Sequence, residues 1–262
     1  VGRKGGSKDM SINEIFPNPT VKEVIFQIRF PNLFYIESKI GDLQLEIMEE
    51  FPKSSLLIRR KVVFVDVGKG EEISEIRNDS DDRTGIKVWQ FSSKKDFKLN
   101  VTSDSLDITS QYHKTYNLEG GSKFRDIIKY VLDRFFQITK IPTISRIGLR
   151  YIDECPIPSK DNDTFRSYFN SVFPIDRFNL TDVSEMDFKT VTKKNEYFLR
   201  YIESLQKTKD EYKLILDFDG FAVDIAQENY LAVTDDLHTI ILEEYEKTIK
   251  DPIYEYMRQG GE

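Results

Sequence analysis

The sequence predicts an α+β fold of two similar β-α-β(3–4)-α halves, each an antiparallel sheet covered by one long helix. Three observations predict it. Apolar residues alternate with polar ones in several short runs, as in half-buried strands, and recur at helical spacing in longer ones. A strand, a short helix, a meander of strands and a long helix follow one another, and the order then begins again. The chain has 262 residues, 39% of them hydrophobic, with 19 Phe and 13 Tyr. That is enough apolar volume for one core rich in rings.

The elements can be taken in turn. Val24, Phe26, Ile28 and Phe30 alternate with Ile25, Gln27 and Arg29 until Pro31 stops the run, which marks a strand. Leu43, Ile47, Met48 and Phe51 recur at helical spacing, and Pro52 closes that segment. Lys61 to Val67 reads as a strand, and the polar stretch from Gly68 to Gly85 as a mobile loop. Strands follow at Ile86–Ser92, Phe97–Val101 and Leu106–Ser110, the last two joined by a turn holding Ser103 and Asp104. Ser122 stands where it can cap a long helix with Phe124, Ile127, Ile128, Val131, Leu132 and Phe135 inward.

The second round opens with a strand from Ile144 to Asp153. Phe165, Tyr168, Phe169, Val172 and Phe173 mark a helix ending at Pro174. Strands are expected near Met186–Val191, Glu196–Leu205 and Tyr212–Asp219. Thr234 is placed to cap a second long helix carrying Leu237, Ile240, Ile241 and Tyr245, and Asp251-Pro252 starts a short last one. Four matches support duplication: Ile28-Arg29-Phe30 with Leu149-Arg150-Tyr151, Leu43…Pro52 with Phe165…Pro174, Leu106-Asp107-Ile108 with Leu216-Asp217-Phe218, and Phe124…Ile128 with Leu237…Ile241. The chain divides accordingly: residues 1–9 as a cloning remnant before Met10, 10–140 as the first half and 141–262 as the second, packed as one globular unit. This order resembles the helix-grip folds and the saddle of the TATA-binding protein, where an antiparallel sheet curves around its long helix.

Composition narrows the classes of function. The net charge of −7 disfavours nucleic acid as a general partner, because phosphate contact needs clustered Lys and Arg, although a local basic groove stays open. One cysteine, Cys155, permits no disulfide within the chain, and no apolar run is long enough to span a bilayer. A cytoplasmic protein without a membrane anchor is expected.

The most distinctive segment is Arg146-Ile147-Gly148-Leu149-Arg150-Tyr151-Ile152-Asp153. Alternation puts Arg146, Gly148, Arg150 and Ile152 on one face of a strand. Two guanidinium groups flanking a glycine form a groove for a carboxylate or phosphate, or else each pairs with an acidic neighbour on the sheet. Arg29 holds the matching place in the first half. Asp217 and Asp219 share a strand face and are candidates either for acid–base and metal chemistry or for an ion-pair network with those arginines. No metal set, P-loop or nucleophile constellation is legible around His113, His238 or Cys155, so no metal, cofactor or catalytic residue is expected.

The run RIGLRYID, with EVIFQIRFP upstream and LILDFD downstream, resembles an uncharacterised protein family scattered sporadically among bacteria and archaea. Its members are of about this length and carry a GLRYI strand. They usually have Asn after that motif, where this chain has Asp153. The resemblance runs from Pro19 onward and implies a prokaryotic source but no known activity. The sporadic distribution suggests an accessory of a mobile defence or toxin–antitoxin system. The first expectation is therefore a non-catalytic binding or interaction module, with a protein partner or a small anionic ligand held by Arg29, Arg146, Gly148, Arg150, Asp217 and Asp219. A metal-dependent nuclease or phosphohydrolase using Asp217 and Asp219 is the second, and a nucleic-acid binder using a basic sheet face with Arg29, Arg146 and Arg150 is the third.

Overall fold

The computed structural model describes residues 12–59, 85–208 and 211–260. It is an α+β structure with one nine-stranded antiparallel sheet and five α-helices. The strand expected at Lys61 to Val67, and all but the end of the loop to Gly85, lie outside the described residues.

The chain runs β1 (Val21–Arg29), α1 (Ile36–Ile47), β2 (Lys53–Arg59), β3 (Ile86–Ser92), β4 (Phe97–Val101), β5 (Ser105–Ser110) and α2 (Phe124–Ile138). It continues through β6 (Ile144–Ile157), α3 (Asn162–Tyr168), β7 (Met186–Lys194), β8 (Tyr197–Thr208), β9 (Glu211–Ile225), α4 (Tyr230–Thr248) and α5 (Asp251–Arg258). Across the sheet the order is β2-β3-β4-β5-β1-β6-β9-β8-β7. The centre is the antiparallel pair β1/β6, with Phe26 opposite Leu149 and Ile28 opposite Ile147.

Period-two alternation sorts the two faces. Val24, Phe26 and Ile28 of β1 are buried, as are Ile147, Leu149 and Cys155 of β6 and Leu214, Leu216 and Phe218 of β9. Phe124, Ile128, Val131, Leu132 and Phe135 line the buried stripe of α2, and Leu237 and Ile241 that of α4. Phe30 meets Phe135 at 5.6 Å between ring centroids, and Phe218 meets Tyr245 edge-on. Gly220 lets α4 come close: a Cβ there would lie 3.2 Å from Cδ1 of Ile241.

Two helix starts differ from the sequence expectation. The N-cap of α2 is Lys123, without a side-chain cap, and the Ser122 hydroxyl instead lies 3.0 Å from the Tyr112 hydroxyl. Thr234 sits inside α4, which begins at Tyr230, and its hydroxyl donates back to the Tyr230 carbonyl at 2.7 Å. The buried stripe of α4 in fact starts at Tyr230 and continues through Val233 and Thr234 to Leu237, so Thr234 belongs to the stripe and not to its cap. α3 ends at Tyr168, well before Pro174, and Phe169 instead bridges to Ile249. β2 was missed because its residues are exposed and do not alternate in burial.

Candidate functional site

The sheet face away from the buried stripe gathers most of the polar residues singled out above. Arg150 stands opposite Asp219 across the β6/β9 ladder, and Asp219 stands opposite Arg200 of β8. Arg150 donates from Nε and Nη2 to the two oxygens of Asp217, at 2.7 and 2.6 Å. This two-pronged hydrogen-bonded pair raises the Arg150 pKa above its ordinary value. Arg146 donates from Nη2 to both oxygens of Asp219, at 2.9 and 3.1 Å, and Arg200 also bonds Asp219. The two carboxylates are almost fully buried, whereas the guanidinium groups keep partial contact with water.

Gly148 is filled over rather than open. A Cβ at this position would lie 2.5 Å from Nη1 of Arg146, whose guanidinium stretches across the glycine to within 4.8 Å of the Phe221 ring centroid. The groove envisaged between the two arginines is thus occupied by one of them. Gly148→Ala is expected to displace that guanidinium, loosen its bonds to Asp219, and cost about 1 kcal/mol in urea unfolding. An unchanged midpoint would show that the Arg146 side chain is not held over the glycine.

Arg29 lies opposite Arg146 on β1, but its Nε donates to Oε1 of Gln27 at 3.0 Å. Asp107 has no hydrogen bond or ion pair with an arginine among the described residues, and Arg59 acts on it only through space; Asn100 donates to it at 2.8 Å and in turn accepts from Gln90. Burial raises the Asp107 carboxyl above its ordinary value. The structure therefore brings Arg146, Gly148, Arg150, Asp217 and Asp219 into one cluster with Arg200, and leaves Arg29 at its margin. Sequence reasoning missed Arg200, which has no motif around it.

On the opposite face the sequence missed a second site. Residues 12–21, the 114–118 connector, β6 and α4 enclose a cavity of about 310 Å³, near the lower end of the range for small-molecule pockets. Its wall includes Tyr151 and Asp153 of β6, Tyr116, His238 and Tyr245, with Lys114 at one side. The GLRYI strand supplies both faces of the story: its arginines look one way, and Tyr151 and Asp153 look the other.

Three features of the wall are chemically pointed. Asp153 is 5% exposed. Burial pushes its carboxyl up to about 7, against the pull of a Thr20 hydrogen bond and of Lys114 and Lys22. Thr20 donates to Oδ1 at 2.8 Å, and its hydroxyl lies 2.6 Å from that of Tyr245. Tyr151 has a buried hydroxyl without a hydrogen-bond partner; among the described residues only Tyr254 shares this condition, and it does not line the cavity. His238 stacks on Tyr116 at 4.3 Å between centroids, and burial pushes its ring down to about 4, so it is neutral at pH 7. The stack is anchored from behind, because the Tyr116 hydroxyl donates to Asp235 at 2.6 Å and Arg125 clasps the same carboxylate.

Of the other chemically able side chains, His113 is buried beside Ser110 among Phe97, Tyr112 and Phe124, and Cys155 is buried. No group of three or more His, Cys, Asp or Glu side chains placed to hold a metal is found among the described residues, and none of their helices is long and apolar enough to cross a membrane. Comparison of the chain with family models, with curated proteins and with solved structures found no match.

Proposed function

We propose that the protein is a non-catalytic binding module and that the cavity between β6 and α4 is where it binds. The observation that carries this reading is the Tyr151 hydroxyl. A buried hydroxyl without a partner costs about 1–3 kcal/mol, and this one, unpartnered among the described residues, belongs to a side chain that lines the cavity together with the buried Asp153. A ligand that accepts from or donates to it would recover that cost. Catalysis is not favoured by the cluster on the other sheet face. Both oxygens of Asp217 accept from Arg150, and both of Asp219 from arginines, so a metal or a substrate proton would have to displace guanidinium groups.

The reading extends to the two-half architecture. From the central pair outward, the first half runs β1-β5-β4-β3-β2 and the second β6-β9-β8-β7. Each half places its first strand innermost, pairs it with its last strand, and follows that last strand with its longest helix. This order supports duplication with one extra outer strand in the first half. The cavity would then lie at the join between halves, a common place for a ligand site.

Tyr151→Phe tests the reading. It removes an unsatisfied hydroxyl and leaves the ring, so stability should hold or rise by up to about 1 kcal/mol. Thermal-shift screening of small metabolites against both proteins should find ligands that stabilise the parent and stabilise the variant less. A variant that loses more than about 2 kcal/mol would show that the hydroxyl is already satisfied within the fold, and the cavity would lose its claim.

A further inference from the structure

The cavity is asymmetric in charge, and that asymmetry names a class of ligand. We infer that it takes a small organic cation, an amine or guanidine on an apolar body, with Asp153 as its counter-ion and tyrosine rings as its walls. The inference rests on the cavity being the binding site.

Asp153 is the first reason. It is a buried carboxylate whose one hydrogen bond among the described residues comes from a neutral hydroxyl, that of Thr20. Among the described residues, the buried carboxylates Asp217 and Asp219 each meet an arginine, and Glu203, which meets none, is held by three donors, the Ser171 and Tyr201 hydroxyls and the Val172 amide; Asp153 has neither a cation nor more than one donor. Buried charge is normally paired, so a missing cation beside a cavity is informative. Lys114 and Lys22 act on it only through space. Lys114 makes no ion pair with it; its Nζ donates instead to the Val21 carbonyl at 3.0 Å.

The walls are the second reason. Tyr116, Tyr151 and Tyr245 line the same cavity as the carboxylate, and the Tyr245 hydroxyl lies 2.6 Å from the Thr20 hydroxyl that bonds it. Aromatic faces attract a desolvated cation, and a phenol oxygen accepts from an ammonium or guanidinium N–H. The Tyr151 hydroxyl has no partner among the described residues, and a small turn of its ring in the cavity wall would bring it to that role. His238 adds no competing positive charge, because its ring is neutral at pH 7. Among the described residues, an anion would instead have to rest on Lys114 alone, next to a carboxylate.

The test uses the full chain and three probes of one shape: benzylamine, benzyl alcohol and benzoate, titrated by calorimetry at pH 8. Benzylamine should bind, and its affinity should fall at least about tenfold in Asp153→Asn and severalfold in Tyr151→Phe. Lys114→Met, which removes the opposing charge, should leave that affinity unchanged or raise it, and it serves if Asp153→Asn does not fold. Benzoate binding that is lost in Lys114→Met, or benzyl alcohol binding as well as benzylamine, would overturn the cation while leaving the cavity as a site. A benzylamine affinity that falls in Lys114→Met would overturn it too. Silence from all three probes would overturn both the cation and the cavity.

Discussion

Asp219→Ala is expected to lower stability by roughly 2–3 kcal/mol, and the melting temperature by about 5–10 °C. The carboxylate is 6% exposed and holds two guanidinium groups from different strands, Arg146 of β6 and Arg200 of β8. Removing it loses charge-assisted hydrogen bonds and leaves two positive groups facing one another. Breaking a fully buried pair costs about 3–5 kcal/mol. The loss here is smaller because the Arg200 side chain is 39% exposed and water will solvate it once released. Arg150→Ala should cost about as much, roughly 2–3 kcal/mol, because it leaves the Asp217 carboxylate, 11% exposed, without its guanidinium.

The result also separates two uses of this face. If Asp219→Ala unfolds at the parent's temperature, the arginines are not committed to the fold and are free to hold an anion. A large loss, with a coupling of about 1 kcal/mol or more between Asp219→Ala and Arg200→Ala in a double-mutant cycle, identifies the cluster as a clamp that ties β6, β8 and β9 together. The second outcome follows from the geometry, because every oxygen of Asp217 and Asp219 already accepts from an arginine of this chain.

Much of the fold was legible because its strands are half-buried. β3 and β4 fall where alternation put them, and β6 presents Arg146, Gly148 and Arg150 on one face with Ile147 and Leu149 on the other. β2 gave no such pattern, since Ser54 to Arg59 are all exposed. The arginine–aspartate cluster was half legible. The sequence showed which residues share a face, but pairing depends on register, which sets Asp219 between Arg150 and Arg200. The expected symmetry between halves also breaks here: Arg29 stands opposite Ser105 and turns to Gln27, and Asp107 turns to Asn100. The cavity was the least legible part, because it joins residues 12–21 to α4 across most of the chain. One signal was present. Asp153 occupies the apolar face of its strand, in step with Ile147, Leu149 and Cys155, and a carboxylate at such a position is seldom there for the fold alone.

Asp153→Asn should stabilise the protein by about 2–4 kcal/mol at pH 8, and by almost nothing at pH 4. The sign follows from which state holds the proton. An unfolded Asp titrates near 3.8, whereas burial pushes the folded carboxyl up to about 7. Between those values the folded state binds the proton that the unfolded state has released, so stability falls as pH rises through the window. The penalty is complete above about pH 7 and absent below about pH 4. Asn has the shape of the protonated acid and no charge to desolvate, so the variant escapes the penalty and can keep the Thr20 hydrogen bond. The surrounding groups leave the window clear. Burial raises the Tyr151, Tyr245 and Cys155 side chains, which stay neutral, and lowers His238 to about 4, a shift common to both proteins that cancels in the comparison. Lys114 and Lys22 attract the carboxylate and weaken the effect without reversing it. Glu203, another carboxyl raised by burial, is common to both proteins and cancels in the comparison. Chemical unfolding of both proteins at several pH values between 4 and 8 measures the difference directly. A difference that stays flat with pH would falsify the desolvated carboxylate, and with it the reason to look for a cation. A difference that grows toward pH 8 and shrinks when benzylamine is added would show the same carboxylate being relieved in two ways, once by losing its charge and once by meeting an opposite one.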